Sequence, residues 1–410
     1  MRSEYAVCVT RPLQSGCIIS FMKFDMIVIG GGLVGASLVT ALKDSGLKIA
    51  LIEPHESMPL PRDESWDSRV YAISPGSVAF LEELGVWQRL EVERVAPVYE
   101  MVVFGDDNCA HINFSAYEIG IPELAFIAEN RQLQTAVWEV LKYPNENIQI
   151  LCPAKCTAIV WQESHVDVQL ADGSLLQTAL VVGADGVNSW VRRQAEIDVK
   201  QHAYNQIGVV ANFSAELSHR HIAHQWFRRD GVLALLPLPD KRVSMVWSTS
   251  EEQAEILRNL PAEDLCRRVE QAASHTLGAL QLITPPVGFP LNFVHVEKLI
   301  KPRLVLIGDA AHGIHPLAGQ GVNLGLRDTR ELAAILGAKG LQTDCGDYML
   351  LRRYELVRKE DILALELVTD SLQKLFNNSN PTLARLRNLG LEITNRLPLI
   401  KNQLMQHALN

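Results

Sequence analysis

A glycine-rich turn between an apolar strand and a helix is the feature that most constrains this fold. Residues 26–29, Met-Ile-Val-Ile, form an unbroken apolar run that predicts a buried parallel strand, and residues 33–42 predict a helix. Gly30, Gly32 and Gly35 lie between or just inside these elements with Gly-x-Gly-x-x-Gly spacing. In that order, such glycines permit a tight turn, the close approach of a pyrophosphate and close helix packing.

A second strand and an acidic residue complete the unit. Residues 48–52 predict a strand that ends at Glu53, about 20 residues beyond the glycines, where a carboxylate suits a ribose diol. The N-terminus of the intervening helix offers free N–H groups and the positive end of its dipole to phosphates. These elements predict a dinucleotide-binding βαβ unit, but they do not distinguish NAD from FAD.

Two later strands each lead to an aspartate. Residues 304–307 predict a buried strand followed by Gly308 and Asp309, and residues 179–182 predict another shortly before Asp185. A capping role is the simplest interpretation of either aspartate. However, the carboxyl ends of parallel strands face the crevice in which open sheets bind ligands. Glycines at 313, 319, 321 and 325 follow Asp309 and let backbone amides reach a ligand edge. We therefore interpret both aspartates as ligand-binding.

With these segments the chain resembles the class A flavin monooxygenases of the para-hydroxybenzoate hydroxylase type, over nearly all of its length after residue 24. Within that class, residues 67–74, 84–87 and 308–328 are similar to the ubiquinone-biosynthesis hydroxylases. The resemblance implies an FAD-dependent enzyme with an α/β fold. Its parts would be a Rossmann-like FAD-binding domain with a parallel sheet, an antiparallel-sheet substrate domain and a helical C-terminal tail.

The resemblance also implies roles for individual residues. The ADP half of FAD would be held by Gly30, Gly32, Gly35 and Glu53, with a further contact from Arg131, which lies one residue closer to Leu133 than in the family's Arg-x-x-Leu segment. Asp185 would serve FAD and NAD(P)H, Arg69 would approach the flavin and recruit the nicotinamide, and Asp309 would hold the ribityl chain. The flavin's pyrimidine edge would meet Gly319, Gly321, Val322 and Asn323, and Pro316 would line the substrate face.

Two histidines lie in the same glycine-rich loop. His312 and His315 could assist the deprotonation of a phenol, since an imidazole titrates near neutrality. Packing of the loop is the commoner role for such residues. Both interpretations stay open, and we retain His315 beside Pro316 as a catalytic candidate.

The resemblance implies a reaction as well. The chain has one dinucleotide fingerprint, so NAD(P)H is expected as a transient co-substrate and not as a resident cofactor. Reduced flavin would react with O2 to form a hydroperoxide, whose distal oxygen passes to an electron-rich ring. We predict an FAD-dependent monooxygenase, an oxidoreductase that hydroxylates the aromatic ring of a polyprenylated phenol in ubiquinone biosynthesis. The alternatives are a flavin hydroxylase of a small soluble aromatic compound and a noncatalytic flavoprotein scaffold of a quinone-synthesis complex.

The length of 410 residues allows two or three domains, which we predict to be discontinuous in sequence. Runs such as 209–213, 231–236 and 243–248 predict antiparallel strands that form a roof over the chemistry. The predicted parts are an N-terminal extension (1–24), an FAD-binding domain (25–95, 127–200 and 297–340), a sheet-rich substrate domain (96–126 and 201–296) and a C-terminal helical region (341–410).

Composition limits the partners and the compartment. A net charge of -9 argues against nucleic acid as a partner. The seven cysteines form no Cys-x-x-Cys pair, which favours reduced thiols in the cytoplasm. No stretch reaches the roughly 20 apolar residues that a membrane helix needs. The segment His219-Arg-His221-Ile-Ala-His224 lacks a carboxylate or thiol partner and favours a solvated edge over a metal site.

The last residues depart from the acidic balance. Residues 380–410 carry basic side chains and predict two amphipathic helices, opened at Asn380-Pro381 and at Pro398. A basic amphipathic pair could lie on the inner face of an anionic membrane, near a polyprenyl substrate and other quinone-biosynthesis proteins. Docking of the apolar faces on the parent domain is the alternative.

Overall fold

A computed structural model describes residues 21–56, 60, 61, 63, 65–105, 111–313, 320–340 and 342–376. Its strands are β1 (Phe21–Ile29), β2 (Ile49–Ile52), β3 (Val70–Ile73), β4 (Ala96–Val98), β5 (Glu100–Phe104), β6 (His111–Ser115), β7 (Ala125–Glu129), β8 (Ile148–Leu151), β9 (Cys156–Trp161), β10 (Val166–Leu170), β11 (Leu175–Gly183), β12 (Val199–Ala215), β13 (Ile222–Arg228), β14 (Gly231–Pro237), β15 (Arg242–Ser250), β16 (Leu280–Leu282), β17 (Val287–Val296), β18 (Ile300–Lys301), β19 (Leu304–Leu306) and β20 (His312–Gly313).

The helices are α1 (Leu33–Ala41), α2 (Pro75–Glu83), α3 (Ala116–Ile119), α4 (Asn130–Leu141), α5 (Trp190–Gln194), α6 (Glu251–Asn259), α7 (Ala262–Ala272), α8 (Gly321–Gly337) and α9 (Tyr348–Phe376). Short 3-10 helices occupy Trp87–Arg89, Val92–Arg94 and Gly308–Ala310.

An eight-stranded sheet built on parallel strands holds the glycine-rich turn. Its order is β18-β19-β11-β1-β2-β8, and β10 and β9 extend it antiparallel from β11. Met26, Ile27 and Val28 are completely buried in β1 because neighbouring strands and helices cover both faces of the sheet. The predicted parallel sheet is therefore confirmed. β1 begins at Phe21, earlier than the predicted strand and inside the segment interpreted as an extension, since Phe21 already pairs with Leu175.

A nine-stranded sheet forms the second layer. Its order is β20-β17-β12-β15-β14-β13-β5-β6, with β16 attached to β12. The predicted antiparallel strands within β12, β14 and β15 pair as expected, and the one parallel step joins β13 to β5. Trp226 and Trp247 are buried on the face that α6 and α7 cover. The two sheets and the C-terminal helix α9 confirm the α/β fold class, while the precise domain boundaries stay a prediction.

A small three-stranded sheet, β3-β7-β4, joins the two large ones. Val98 and Ile127 of this sheet pack against Ala223 and Leu238 of the nine-stranded layer. On its other side, Ile73 belongs to the core of the parallel-sheet layer. Because β4 and β7 flank β5 and β6 in the chain, residues 96–126 contribute to both the small sheet and the nine-stranded sheet.

Long helices close the structure behind the glycine-rich turn. A Cβ built at Gly325 of α8 would lie 2.7 Å from the Val34 side chain, so α8 and α1 approach closely. α9 then packs on α8 and on β18. Within the described ranges, no helix is long and apolar enough to cross a membrane. The predicted amphipathic helices of residues 380–410 lie outside those ranges.

The interpretation of His219 to His224 as a solvated edge is wrong. β13 pairs on both sides, with β14 and β5, and His219 and His224 are only 2% and 7% exposed. His219 Nε2 lies 2.8 Å from the carbonyl oxygen of Leu238. Burial lowers the pKa of His219, and it lowers that of His224 to about 4. Both histidines are therefore neutral core residues, buried by packing that the alternation of the sequence does not reveal.

Candidate flavin site

The three sequence motifs leave the parallel sheet side by side. In the register of the central strands, Ile29 pairs with Gly183 and Gly183 pairs with Leu306. Strands β1, β11 and β19 therefore end at the same level, and the residues that follow them in the chain share one edge of the sheet. This places the glycine-rich turn next to the loops that carry Asp185 and Asp309.

The fingerprint glycines meet two different requirements. Gly30 has φ +109, and a Cβ built there would lie 2.3 Å from the carbonyl oxygen of Ala184. A Cβ at Gly35 would lie 2.1 Å from the carbonyl oxygen of Gly30. Gly32, by contrast, has nothing within 4 Å of its Cβ position and directly precedes α1. Packing thus requires glycine at 30 and 35, while Gly32 leaves open space at a helix N-terminus.

Three side chains fix the backbone of Gly31 through its N–H and its carbonyl oxygen. Glu53 Oε2 accepts a hydrogen bond from the Gly31 amide at 2.7 Å. Gln134 Nε2 and Trp138 Nε1, both from α4, donate to the Gly31 carbonyl oxygen at 2.7 and 2.9 Å. Glu53 therefore lies at the turn as predicted from its position. Sequence analysis missed Gln134 and Trp138 because no local pattern marks a contact across a hundred residues.

Asp185 caps a short helix. One of its carboxylate oxygens accepts from Ser189 Oγ at 2.5 Å, and the other accepts from the amides of Trp190 and Val191 at 2.7 and 3.0 Å. Both oxygens are thus used at the start of α5, which is the simpler of the two interpretations of this residue. Whether Asp185 also contacts a cofactor stays a prediction.

Asp309 belongs to a charged group that also includes Arg69 and Tyr71. The Arg69 guanidinium carbon lies 5.4 Å from the centre of the Tyr71 ring. Asp309 is accessible to solvent, but the protein around it desolvates its carboxyl group and raises its pKa, against the opposing charges of His312 and Arg69. Burial likewise raises the pKa of Tyr71, with a smaller contribution from Asp309. The structure therefore brings Arg69 and Asp309 together at the edge where the glycine-rich turn lies.

A buried ionic network stands directly behind this group. The Asp328 carboxylate accepts from the Gly308 amide at 2.8 Å, from His312 Nε2 at 2.5 Å and from Arg358 Nε at 2.7 Å. Asp328 and His312 are 0% and 2% exposed. Burial alone would lower the pKa of His312, but the charge and hydrogen bond of Asp328 outweigh it and raise the pKa. His312 thus packs the loop through Asp328, a residue that sequence analysis did not single out.

The N-terminus of α8 contacts the same region. Asn323 is completely buried, accepts a hydrogen bond from the Ser74 amide at 2.9 Å and donates to the Ala72 carbonyl oxygen at 2.8 Å. Gly321 and Val322, in the same turn, are half-buried. Side-chain bonding of Asn323 thus ties the start of α8 to the strand that follows Arg69. His315, Pro316 and Gly319 lie outside the described residues.

Comparison with known proteins identifies the family. A family model described as an FAD binding domain matches residues 23–364. The chain is 34% identical over 389 residues to the 3-demethoxyubiquinol 3-hydroxylase of Escherichia coli, an alignment that covers 94% of this chain and 98% of that protein. It is 33% identical over 435 residues to the human mitochondrial ubiquinone biosynthesis monooxygenase COQ6, with 94% and 92% covered. The chain belongs to the FAD-dependent ubiquinone-biosynthesis hydroxylases.

Solved structures agree on the fold of this hydroxylase. The p-nitrophenol 4-monooxygenase PnpA of Pseudomonas putida superposes with a TM-score of 0.75 at 16% identity, over 95% of this chain and 99% of that one. A point variant of HpxO from Klebsiella pneumoniae, solved with FAD, gives a TM-score of 0.72 at 19% identity, over 95% of this chain and 98% of that one. The hydroxylase is therefore an FAD-dependent monooxygenase of known architecture, and NAD(P)H is the reductant typical of its class.

The geometry of the described residues at this sheet edge fits FAD. A flavin dinucleotide needs an open approach to backbone amides for its pyrophosphate and an acid for a ribose. The open space at Gly32, beside the Glu53 carboxylate, meets both needs. The solvent-accessible Asp309, farther along the same sheet edge, adds a second carboxylate for a polyol chain.

The hydrogen-bonding and ionic partners of Arg131 are groups of the protein, which differ from the partners expected of a residue that contacts FAD directly. Its guanidinium lies 3.2 Å from the completely buried Glu129 and also donates to the carbonyl oxygen of Ser65. Glu129 accepts two further bonds from Arg94, at 2.6 and 3.0 Å. Asp67 Oδ2 accepts from the Arg131 amide at 3.1 Å. In this hydroxylase, Arg131 thus fixes the loop before Arg69, and its contact with FAD stays a prediction.

Proposed function

We propose that this hydroxylase adds an oxygen to the aromatic ring of a polyprenylated phenol in ubiquinone biosynthesis, using NAD(P)H and O2. The observation that carries the proposal is the full-length similarity to the Escherichia coli and human proteins, both named for ubiquinone biosynthesis. The order of the three flavin motifs along one sheet edge supports it. FAD, when bound, supplies the redox and oxygen-activating chemistry.

Residues of the sheet edge would bind and orient the cofactor. We assign the ADP half of FAD to Gly30, Gly32, Gly35 and Glu53, where the helix N-terminus also favours an anionic pyrophosphate. Asp309 would accept hydrogen bonds from the ribityl hydroxyls, since its carboxylate is accessible. Backbone groups of Gly319, Gly321, Val322 and Asn323 would meet the pyrimidine edge, with further contacts from Arg131 and Asp185.

Arg69 would recruit the nicotinamide cofactor. It is exposed, carries a positive charge next to Asp309 and stands at the start of β3. A guanidinium in that position can bind a phosphate of NAD(P)H in a bidentate manner. Once the reductant leaves, the same side chain would stay beside Asp309 and Tyr71, at the edge of the sheet that we assign to the flavin.

The nine-stranded sheet would form the roof that excludes water from the reaction. Asn212 of β12 is completely buried and donates to the Asp67 carbonyl oxygen at 2.8 Å, which ties the sheet to the loop before Arg69. The substrate ring would then lie between this sheet and the flavin, with Pro316 and His315 as its predicted neighbours. A neutral imidazole there could accept the phenol proton.

Lipid analysis of cells that lack the gene tests the substrate. A precursor that lacks one ring oxygen should accumulate, and mass spectrometry identifies the missing hydroxylation. Wild-type protein should restore the quinone pool, Asp309→Ala should not, and Asp172→Ala at an exposed hairpin turn should behave as wild type. An unchanged quinone pool in the deletion strain would contradict the proposal.

The two alternatives predict different results in the same experiment. A hydroxylase of a small soluble aromatic compound should leave the quinone pool intact and should oxidise NAD(P)H faster when a soluble phenol is added. A scaffold should support quinone synthesis even as Asp309→Ala, and the family assignment favours the enzyme over it. The further proposals are a cytoplasmic location, peripheral membrane contact through residues 380–410 and association with other quinone-biosynthesis proteins.

A further inference from the structure

Helix α9 carries an apolar stripe on its outer face. The stripe consists of Met349, Leu356, Leu363 and Leu367, which are 69%, 56%, 43% and 69% exposed. With 3.6 residues per turn, spacings of seven, seven and four place these side chains along one line of the helix. The opposite face is buried through Leu351, Tyr354, Ile362 and Leu365. Folding of the described chain thus explains the inner face of α9 but leaves its outer stripe in water.

A basic cavity adjoins the stripe. It has a volume of about 440 Å³ and is lined by His295, Glu297, Lys298, Ile300, Tyr348, Arg352, Glu355 and Lys359. Arg352 and Lys359 each precede a leucine of the stripe by four residues, so they flank Leu356 and Leu363 on the helix surface. The cavity and the stripe therefore face the same side of the molecule.

The cavity has an excess of positive charge. Its two acids already have basic partners, because Glu355 pairs with Arg352, and Glu297 lies 3.1 Å from Lys200 outside the cavity. Three basic residues of the lining, Lys298, Arg352 and Lys359, face these two acids, which leaves an excess of one positive charge. The acid that bonds to His295 of the lining is Glu366, which is 6% exposed. A local basic recess is contrary to the net charge of -9 of the whole chain. An anion of phosphate size fits its charge.

We propose that α9 docks on an anionic phospholipid membrane, with the stripe in the acyl boundary and a headgroup phosphate in the basic cavity. Apolar side chains flanked by lysine and arginine are what a helix lying in the plane of a membrane needs. Tyr348, 46% exposed at the cavity, adds an aromatic residue suited to the interface. On the opposite flank, Arg353 and Glu360 contribute one charge of each sign. None of the residues of this surface belongs to the segment 380–410, and the proposal does not depend on which phenol is hydroxylated.

Vesicle flotation of the full-length, FAD-loaded protein tests the proposal. Binding should be strong to vesicles of phosphatidylcholine with phosphatidylglycerol, weak to phosphatidylcholine alone, and reduced by salt. Leu356→Glu with Leu363→Glu should lower the bound-to-free ratio at least tenfold. Lys298→Gln and Lys359→Gln should each lower it about fivefold on the anionic vesicles. Val160→Glu, at a residue that is 51% exposed on β9, is the matched control and should bind as wild type.

Three results would overturn the proposal. Undiminished vesicle binding by the leucine double variant, with loss on Arg385→Glu and Arg387→Glu, would assign the contact to the C-terminal segment. Light scattering that shows self-association without vesicles, abolished in the leucine variant, would make the stripe an interface between copies of the chain. If the lysine variants raise the KM for NADPH and leave flotation unchanged, the cavity takes a soluble phosphate and not a lipid headgroup.

Discussion

Replacing Asp328 by Asn tests the buried network behind the flavin loop most directly. The substitution keeps the shape of the side chain but removes its charge. In the native structure this carboxylate accepts three hydrogen bonds, from the Gly308 amide, His312 and Arg358. An amide offers only one acceptor oxygen, so its NH2 group must face one of these donors. Arg358, which is 4% exposed, then loses the carboxylate at its Nε and keeps only Asp361, 2.6 Å from its Nη1, among the acids that pair with it in the described residues.

The expected loss of stability is large. Breaking a buried ion pair from one side costs about 3–5 kcal/mol when the remaining charge has no other partner. Arg358 keeps Asp361, which lies 2.6 Å from its Nη1, so the loss should lie near the lower end of that range. Removing both partners avoids that penalty. The double variant Asp328→Asn with Arg358→Met should therefore be less destabilised than the sum of the two single variants. The affinity for FAD should also fall about tenfold, or about 1.4 kcal/mol, since Gly308 and the adjacent Asp309 lose their support.

The penalty should depend on pH. The pKa of His312 is raised above 6.5, so its contribution to stability is complete below pH 6.5 and is lost as the pH rises through the native value. Burial would raise the pKa of Asp328, but His312 and Arg358 lower it below 3.8. Its contribution is complete above pH 3.8 and is lost as the pH falls through the native value. The difference between wild type and variant should therefore be greatest from about pH 4 to 6.5. It should be smaller once the pH has risen through the native pKa of His312, because Arg358 is then the one cation that still bonds to the Asp328 carboxylate among the described residues.

Urea denaturation followed by tryptophan fluorescence, with saturating FAD and without it, measures these changes. Glu360→Gln on the exposed side of α9 is the matched control and should shift the midpoint little. If Asp328→Asn destabilises the protein by less than about 1 kcal/mol, the assignment of a stabilising ionic network is refuted. The same conclusion follows if the effects of Asp328→Asn and Arg358→Met simply add in the double variant. A pH-independent difference between wild type and variant would refute the part assigned to His312.

Three further predictions concern the turn, the Arg131 loop and the thiols. Gly32→Ala should leave the thermal midpoint of the apoprotein unchanged but weaken FAD binding at least tenfold, whereas Gly35→Ala should destabilise the apoprotein itself, because its Cβ would meet the Gly30 carbonyl oxygen. Glu129→Ala should cost about 3–5 kcal/mol in urea denaturation, since two arginines lose a buried carboxylate; a loss under about 1 kcal/mol would contradict this. Burial raises the pKa of Cys156 to about 12, so mass spectrometry should show no alkylation of this thiol at pH 8 until the protein unfolds.

The sequence predicted the local parts of the site well. An apolar run without alternation identifies a strand that is covered on both faces, and Met26 to Ile29 has that environment in β1. The glycine spacing identifies a turn whose geometry excludes side chains, which the positive φ of Gly30 and the close approach at Gly35 explain. Both signals are local. The glycine spacing reflects contacts between residues close in the chain, and the apolar composition of the strand reveals that both of its faces are buried.

Contacts between distant segments were not predictable in the same way. Glu129 and Arg94 are 35 residues apart, and the bond from Trp138 to Gly31 spans 107 residues. Each of these side chains has an ordinary sequence context, so only the fold reveals its partner. The error at His219 and His224 has the same origin. The lack of a carboxylate or thiol partner in the segment suggested a solvated edge. In the structure, His224 lies in β13, which pairs on both edges, and His219 lies 2.8 Å from the distant Leu238 carbonyl oxygen.

Strand order explains how residues so far apart in sequence form one site. β1, β11 and β19 are consecutive in the sheet although their chain positions differ by well over a hundred residues, and all three run parallel. Backbone hydrogen bonds continue across their ends, from the Ala184 amide to the Ile29 carbonyl oxygen and from the Ile307 amide to the Gly183 carbonyl oxygen. The turn, the Asp185 loop and the Asp309 loop therefore cannot move independently. A substitution that shifts the end of one strand should change the affinity for FAD through all three loops, which is why the Asp328 network, although it lies behind the edge, is expected to affect cofactor binding.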